Sequence, residues 1–169
     1  WSSDVCSSDL KFSISSVSVS NDGKVMYFSS DMPGGAGGAD LYQSRFDGAW
    51  SKPLNLGNAV NTAGDESFPF ISDNALYFAS NGLAGLGGLD VFSVSVAGDQ
   101  FGEPQNLGYP VNTSSDDFAL ALNAARTKGF LSSNRKHTDD VFEVTIDLQT
   151  YPFTIAGILK YKEENWRTS

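Results

Sequence analysis

The sequence is poor in cysteine and histidine, the two residue types that most often hold transition metals in proteins. It has 1 Cys, at position 6, and 1 His, at position 137. A structural zinc site takes four nitrogen or sulfur ligands, and a catalytic site takes three with an open position. Cys6 and His137 are too few for a Cys/His zinc centre, and no metal site is predicted.

Positive charge is also scarce, with 11 Lys and Arg against 20 Asp and Glu and a formal net charge of −9. An acidic chain lacks the basic surface that nucleic acid and anionic lipid require. Long apolar runs are missing too, since no stretch approaches the roughly 18 consecutive apolar residues of a membrane span. The sequence therefore predicts neither a nucleic-acid partner nor a membrane-spanning segment.

Residues 1–10, WSSDVCSSDL, differ from the rest of the chain because they show neither strand alternation nor a helical stripe. They match, in frame, the translation of a common sequencing-adapter oligonucleotide, and they lack the basic and apolar regions of a signal peptide. We expect an adapter-derived artefact that is not native; the alternative is a Ser-rich disordered leader. Removing Asp4 and Asp9 with this segment changes the formal charge from −9 to −7 and leaves no cysteine.

An internal repeat of about 50 residues organises the remaining sequence. The segments VMYFSSDMPGGAGGADLY and ALYFASNGLAGLGGLDVF match closely, and Asp40 and Asp90 stand 50 residues apart in them. After one inserted residue the match continues at a spacing of 51, where Asp65 corresponds to Asp116. A third, eroded copy loses the glycines and keeps Asp140. Agreement at so many positions predicts three equivalent structural units.

Each unit contains short alternating segments separated by turn residues, which is typical of β-strands. In the third strand of the second copy, Phe92, Val94 and Val96 alternate with Ser93 and Ser95. Four short strands in a repeat of this length are typical of a propeller blade. An isolated blade would leave an apolar face in water, so the blades are expected to stack. The sequence predicts an all-β fold: a partial β-propeller of about three four-stranded antiparallel blades, followed by the first strand of a β-sandwich domain.

The predicted domain boundaries follow the repeat. Residues 11–148 form the partial propeller, with blades at about 11–63, 64–114 and 115–148. Because propellers use four to eight blades, we expect further blades upstream, and an isolated open arc that is prone to aggregate. The blade pattern ends before residues 149–169, where Phe153, Ile155 and Leu159 predict the first strand of a new, truncated domain.

The glycine-rich loop GGAGGAD invites three interpretations. A dinucleotide-binding fingerprint would be followed by a helix, whereas the strand-like DLYQSRF follows here. A calcium-binding nonapeptide repeat would place its Asp one residue earlier and would recur every nine residues. We therefore expect a structural loop in which glycines supply positive φ angles and aspartates accept backbone hydrogen bonds, with cation or ligand binding as the alternative. The predicted structural residues are Gly35, Gly37, Gly38, Gly85, Gly87, Gly88, Asp40, Asp90, Asp140, Asp65 and Asp116.

Two acidic pairs, Asp65–Glu66 and Asp116–Asp117, lie where one blade passes to the next. Paired carboxylates can serve as acid and base or bind calcium. A catalytic pair would be unique, whereas these pairs recur at equivalent points. The only histidine, His137, lies in a polar loop with no nucleophile–base motif around it. We predict a blade-linking role for the acids, and no catalytic residue, cofactor or enzymatic activity.

The segments SNDGKVMYFSSDMPGGAGGADLY and SDNALYFASNGLAGLGGLDVF resemble the WD40-like, PD40-type repeats of periplasmic propellers. The Pro-Asp position of that signature reads Asn21-Asp22 in one copy and Ser72-Asp73 in the next, which departs from it. More narrowly, the region is similar to the propeller of Bacteroidota-type OmpA-family envelope proteins. Some of these are the peptidoglycan-tethering component of the type IX secretion system. The tail PFTIAGILKYKE is similar to the first strand of a carboxypeptidase-regulatory-like β-sandwich.

This resemblance implies a non-catalytic protein–protein interaction scaffold in the periplasm, associated with the outer membrane. Its partners would be other cell-envelope proteins, and peptidoglycan would be bound only through an OmpA-type domain that this sequence does not contain. The alternative is a carbohydrate- or peptide-binding propeller module attached to an exported hydrolase. A glycan-binding module would present exposed aromatic residues on one rim, which distinguishes the two functions.

Overall fold

The structure, a computed structural model, describes residues 12–146 and the strand Gly157–Lys160. These residues form β-strands joined by turns and loops, and no helix occurs among them. In the same residues there is accordingly no helical segment of the length and apolar character needed to cross a bilayer. The expectations for residues 1–10 and for a boundary near residue 149 fall outside the described residues.

Three antiparallel sheets follow one another along the described chain. The first contains β1 (Ile14–Val19), β2 (Val25–Ser30), β3 (Asp40–Arg45) and β4 (Leu54–Asn55). The second contains β5 (Glu66–Ser72), β6 (Ala75–Ser80), β7 (Asp90–Ala97) and β8 (Gln100–Phe101), with β9 (Gln105–Asn106) also paired to β7. The third contains β10 (Asp117–Leu122), β11 (Lys128–Ser133), β12 (Asp140–Ile146) and β13 (Gly157–Lys160). The prediction of an all-β fold with three antiparallel blades is confirmed; two of the sheets have four strands, and the second has five.

The first two sheets share the same register. Val25 pairs with Arg45 in the first sheet, and Ala75 pairs with Ser95 in the second, each residue 50 positions later. The third sheet keeps the corresponding β11–β12 pairing with a shorter connecting loop, because its copy lacks the glycines. Equivalent sequences therefore fold into equivalent hairpins.

The first strand of each sheet carries a bulge at the same place. One residue in each bulge has a positive φ: Ser16 at 47°, Phe68 at 54° and Ala119 at 52°. A bulge inserts an extra residue, bends its strand and increases the local twist. The three sheets therefore bend at the same position, as repeated blades require.

The hydrophobic core lies between the sheets. Tyr27 and Leu41 of the first sheet pack against Leu76, Phe78 and Phe92 of the second. Successive side chains of a strand point to opposite faces, so these residues all lie on the faces that the two sheets turn toward each other. The stacking expected from the sequence is observed at this junction.

A second cluster forms the next junction in the same way. Tyr77 and Val91, on the other face of the second sheet, pack against Leu131 and Val144 of the third. The middle sheet is therefore apolar on both faces. Burial of each large side chain contributes roughly 1.5–3 kcal/mol, which makes stacking the main source of stability.

The far face of the third sheet is open among the described residues. Phe130 and Val141 occupy the positions of Tyr77 and Val91 in the second sheet, yet they are 59% and 65% exposed. Their counterparts are 4% and 1% exposed because a neighbouring sheet covers them. The equivalent apolar faces of the first and second sheets are therefore each covered by the next sheet, whereas among the described residues no sheet covers this face of the third.

Strand β13 takes the fourth place in the third sheet, where it pairs antiparallel with β12 from Glu143↔Lys160 to Ile146↔Gly157. The sequence predicted that residues 149–169 begin a separate domain, so the position of this strand differs from that expectation. The outer edge of β12 presents backbone groups that need partners, and an adjacent strand satisfies them. The β-sandwich domain itself stays a prediction.

Candidate functional site

The hairpin loops and the sheet-to-sheet connections meet at one end of the sheets, which we call the loop end. There the Gly38 amide donates to the Gly64 carbonyl at 3.0 Å, and the Glu66 amide donates to the Ala39 carbonyl at 2.7 Å. The turns between first and second strands and between third and fourth strands lie at the opposite turn end. Antiparallel pairing places alternate connections at opposite ends, so each end carries a repeated set of side chains.

Asp40 and Asp90 begin the third strands of their sheets at the loop end, and each is 1% exposed. Asp40 Oδ2 accepts a hydrogen bond from the Ala36 amide at 2.6 Å. Asp90 Oδ2 accepts from the Leu86 and Gly87 amides at 2.7 and 2.9 Å. In both residues Oδ1 is buried without a hydrogen-bond partner among the described residues. Each carboxylate thus holds the preceding glycine-rich loop in a compact shape.

Glycine is required at the six predicted loop positions because there is no room for a β-carbon, and not because the backbone conformation is unusual. None of them has a positive φ, so the reason that the sequence suggested for them is wrong. A β-carbon on Gly35 would overlap the Asp40 carboxylate, and one on Gly85 would overlap the Asp90 carboxylate. The backbone comes so close to the aspartate that only glycine fits.

The other four glycines lie against the connection to the next sheet. A β-carbon on Gly37 would overlap the Gly64 carbonyl, and one on Gly38 would overlap the Asp65 carboxylate. The second copy repeats both contacts, Gly87 with the Ser115 carbonyl and Gly88 with the Asp116 carboxylate. These glycines therefore allow the loop of one sheet to pack closely on the connection that leads to the next.

Asp65 ties the loops of the first two sheets together. Its Oδ1 accepts from the Ala39 amide at 3.0 Å, and its Oδ2 accepts from Asn81 Nδ2 at 3.1 Å. Its own amide donates to Asn81 Oδ1 at 2.7 Å. Because Ala39 and Asn81 belong to loops of different sheets, the exposed Asp65 bridges the two units.

Asp116 repeats this bridge between the second and third sheets, through Leu89 N, Asn134 Nδ2 and Asn134 Oδ1, each at 2.9 Å. Asp140 differs from Asp40 and Asp90, because it is partly exposed and its hydrogen bond comes from the Thr138 hydroxyl at 3.2 Å. The third copy thus differs from the first two in the environment of its aspartate as well as in its missing glycines.

Glu66 is a fully buried acid at the first junction. Its carboxylate accepts from the Thr62 amide at 2.8 Å, the Thr62 hydroxyl at 2.7 Å and the Ser80 hydroxyl at 2.7 Å. A buried carboxylate is tolerated when hydrogen bonds replace its hydration. Glu66 is therefore held by neutral donors alone.

Asp117 occupies the same position at the second junction with a side chain one methylene shorter. It accepts from the Thr113 amide and hydroxyl at 2.6 and 2.8 Å, and Arg135 Nη2 donates to its other oxygen. Arg135 also donates to the Val111 carbonyl at 2.7 Å. Arg135 stands where the second copy has Gly82. Sequence reasoning missed this ion pair. The available signal was that two positions change together between the copies, Glu66 to Asp117 and Gly82 to Arg135.

Asn61 and Asn112 are further residues that sequence reasoning did not select. Asn61 accepts from the Leu41 amide at 2.8 Å and donates to the Leu41 carbonyl at 3.0 Å. Asn112 binds the Val91 amide and carbonyl in the same way, both at 2.8 Å. Each side chain therefore takes the place of a neighbouring strand. The repeated Val-Asn-Thr sequence was the available signal.

A polar cavity of about 410 Å³ opens at the loop end. It is lined by the connection that follows the second sheet and by His137, which is exposed and has a φ of 74°. Within residues 12–146 and 157–160, no three His, Cys, Asp or Glu side chains come together in a possible metal site. Asp65 and Asp116 at this end instead accept hydrogen bonds inside the fold.

A second cavity, of about 480 Å³, lies at the turn end between the first two sheets. Arg45 on its wall crosses the junction to Asp99, with Nε 2.9 Å from Oδ1, and also donates to the Gly98 carbonyl at 2.9 Å. Gln43 Nε2 donates to the same Asp99 oxygen at 2.9 Å. The hydrogen bonds from Arg45 and Gln43 hold the pKa of Asp99 below its ordinary value of 3.8.

Two buried tyrosines mark the turn end of successive junctions. Burial raises the pKa of Tyr27 above 10.0, while the positive charge of Arg45 opposes that rise. Burial also raises the pKa of Tyr77, where the charge of Arg126 and a hydrogen bond from it act in opposition. Each tyrosine hydroxyl therefore lies in a poorly solvated place with an arginine close by.

No protein-family model matches the chain, and no curated protein matches it. Among solved structures, the chain is similar to the crystal structure of TolB from Acinetobacter baumannii, with a TM-score of 0.55 and 16% sequence identity. The likeness covers 85% of this chain and 31% of the TolB chain, so this chain spans under a third of that structure. It supports a propeller-type fold for the three stacked sheets.

Proposed function

We propose that this chain is part of a non-catalytic protein–protein interaction scaffold, a propeller module of the periplasm. The observation that carries the proposal is the bridge that Asp65 and Asp116 form between the loops of adjacent sheets. Bridged loops are held in fixed positions on stacked sheets, and loops on a rigid frame are the usual recognition elements of such folds. The periplasmic location rests on the resemblance of the repeats to PD40-type propellers.

The finer form of the proposal places the chain in an OmpA-family protein associated with the outer membrane and peptidoglycan. Its partners are other envelope proteins, and a role in type IX secretion is the most specific version. The support is the similarity of the two copies around Asp40 and Asp90 to that family's propeller. The full-length gene tests this version, since an OmpA-type domain downstream is expected and a hydrolase domain would contradict it.

Site-specific photo-cross-linking in cells tests the scaffold itself. A benzoylphenylalanine at Leu86, which is 56% exposed in the second glycine-rich loop, is expected to cross-link to envelope proteins. The matched control position is Lys52, which is exposed on the connection between third and fourth strands. Cross-links from Leu86 to cytosolic proteins only, or equal cross-linking from both positions, would overturn the proposal.

The alternative function is a carbohydrate- or peptide-binding module of an exported hydrolase, and one observation favours it. Phe46 and Trp50 at the turn end are 44% and 40% exposed, with ring centroids 5.3 Å apart. Exposed aromatic faces suit the stacking of sugar rings. Retention of the chain on a polysaccharide affinity gel, lost in Trp50→Ala and kept in Tyr109→Ala, would support this alternative over the scaffold.

A further inference from the structure

The turn-end cavity between the first two sheets has both a polar wall and an apolar floor. Asp22 and Asp73 line it from the turns of adjacent sheets, and Tyr27 and Ile71 line it from the strands below. The two sheets thus build the cavity jointly, and its volume of about 480 Å³ is sufficient for one long side chain.

The charge of this cavity is negative. Asp22 accepts from the Ser20 hydroxyl at 2.6 Å and the Lys24 amide at 3.0 Å, and these bonds hold its pKa below 3.8. Neither Asp22 nor Asp73 forms an ion pair with another described residue. The one cation on the wall, Arg45, is paired with Asp99. Two carboxylate charges consequently face the cavity without a paired cation.

Tyr27 places a further polar group at this cavity. It is 2% exposed, it lines the cavity, and its hydroxyl has no hydrogen-bond partner among the described residues. Tyr77 holds the same position at the next junction, and there the positive charge of Arg126 opposes the rise in the pKa of the hydroxyl. Each tyrosine therefore has an arginine of the chain nearby, but Arg45 at Tyr27 is paired with Asp99, whereas neither of the ion pairs among the described residues involves Arg126.

We propose that the turn-end cavity binds a basic side chain, an arginine or a lysine, presented by a partner protein. The charge of Arg126 near Tyr77 shows that a guanidinium can lie close to this position. A guanidinium or ammonium group beside Tyr27 would donate to its hydroxyl and would neutralise Asp22 and Asp73, and such charge-assisted bonds are the stronger class. This inference rests on the proposed scaffold function, for which it names the chemistry of one contact.

Titration of the isotope-labelled 169-residue chain with the peptide acetyl-Gly-Arg-Gly-amide, followed by NMR, tests the proposal. Saturable shifts are expected at the side-chain amides of Asn21 and Asn74, which line the cavity. The lysine peptide is expected to bind as well. The citrulline peptide, which has nearly the shape of the arginine peptide without its charge, is expected to bind at least about tenfold more weakly.

Two variants locate the binding site. Asp73→Asn is expected to weaken binding of the arginine peptide about tenfold, whereas Asp139→Asn removes the same charge from an exposed loop residue and leaves binding unchanged. Tyr27→Phe is expected to weaken binding about fivefold through one lost hydrogen bond. Tyr77→Phe is its matched control, because Tyr77 lies at the next junction and does not line this cavity.

Equal binding of the arginine and citrulline peptides would overturn the inference, as would equal effects of Asp73→Asn and Asp139→Asn. Failure of the scaffold proposal looks different. If Leu86 still cross-links to envelope proteins while the arginine peptide does not bind, only the basic-side-chain inference fails. If no envelope protein is cross-linked, the scaffold fails, whatever the peptide does.

Discussion

Arg135 forms an ion pair with Asp117, a carboxylate with no exposed surface, whereas the equivalent acid Glu66 is held by neutral hydroxyl and amide donors. Arg135 Nη1 and Nη2 also bind the Pro110 and Val111 carbonyls at 3.1 and 2.7 Å. One arginine therefore joins the third sheet to the connection that precedes it.

We expect Arg135→Met to lower the free energy of unfolding by about 3 kcal/mol, because removing one partner leaves a buried charge uncompensated. Urea denaturation followed by tryptophan fluorescence gives the measurement. Arg45→Met is the matched control, since the Arg45–Asp99 pair is largely exposed, and its loss is expected to be much smaller. Equal losses would contradict a special role for the buried pair, and Asp117→Asn is expected to recover part of the loss of Arg135→Met.

Gly35→Ala is expected to destabilise the protein by about 2 kcal/mol, because the added methyl group overlaps the Asp40 carboxylate. A double-mutant cycle checks the cause. In an Asp40→Ala background the Gly35→Ala cost should fall sharply, whereas the cost of Gly48→Ala, at a positive-φ position in open space, should be the same in both backgrounds. Strict additivity of Gly35→Ala and Asp40→Ala would show that the close approach is not the reason for glycine.

Asn112→Ala should lower the free energy of unfolding by about 3 kcal/mol, because the Val91 amide loses its partner in a buried place and the Val91 carbonyl keeps only the Leu107 amide. Native-state hydrogen exchange gives a local readout, since the Val91 amide is expected to lose protection. Asn123→Ala, at an exposed turn, removes hydrogen bonds to Thr127 and serves as the control with a loss below about 1 kcal/mol. Unchanged protection of the Val91 amide would contradict this account.

The two buried tyrosines predict loss of stability in alkali. Burial raises the pKa values of Tyr27 and Tyr77 in the folded state above the ordinary 10.0. Their contribution is complete below about pH 10 and is lost as the pH rises toward the folded values, because only the unfolded chain ionises in that window. Urea titrations at stepped pH should show this decline, and the Tyr27→Phe/Tyr77→Phe double variant should show less of it. An equal decline in both proteins would assign it to other groups.

The open face of the third sheet predicts self-association. Phe130→Lys and Val141→Lys should each reduce the apparent mass in size-exclusion chromatography with light scattering, because they place charge on an apolar patch. The matched control is Tyr109→Lys, which replaces a 79% exposed aromatic residue in the connection after the second sheet. If Tyr109→Lys reduces the mass as much as Phe130→Lys does, general charge and not this face would be responsible.

Strand alternation made the architecture predictable. The phase of Phe92 and Val94 is enough to place one face of the second sheet against a neighbour, because side chains in a strand alternate by simple geometry. The repeat then extends this argument to every unit. The same reasoning could not place β13, since its pairing with β12 depends on an edge that exists only once the third sheet has formed.

The loop end shows the limit of reading residue types. Repetition alone singled out Asp40 and Gly35, but it suggested the wrong reason for the glycine, because a glycine can serve backbone freedom or close approach and sequence does not separate the two. Arg135 was missed since the change from Gly82 looks like ordinary loop variation. The role of Arg135 becomes clear only from its ion pair with Asp117 in the structure.

The sequence by itself determined the strand pattern, the number of equivalent units and the apolar faces that stack them, because these follow from period, spacing and the hydrophobic effect. The tertiary structure alone decided which carboxylate meets which donor and which cavity keeps an unpaired tyrosine hydroxyl. Those contacts join residues from loops of different sheets, and a difference of about an ångström decides whether a hydrogen bond forms.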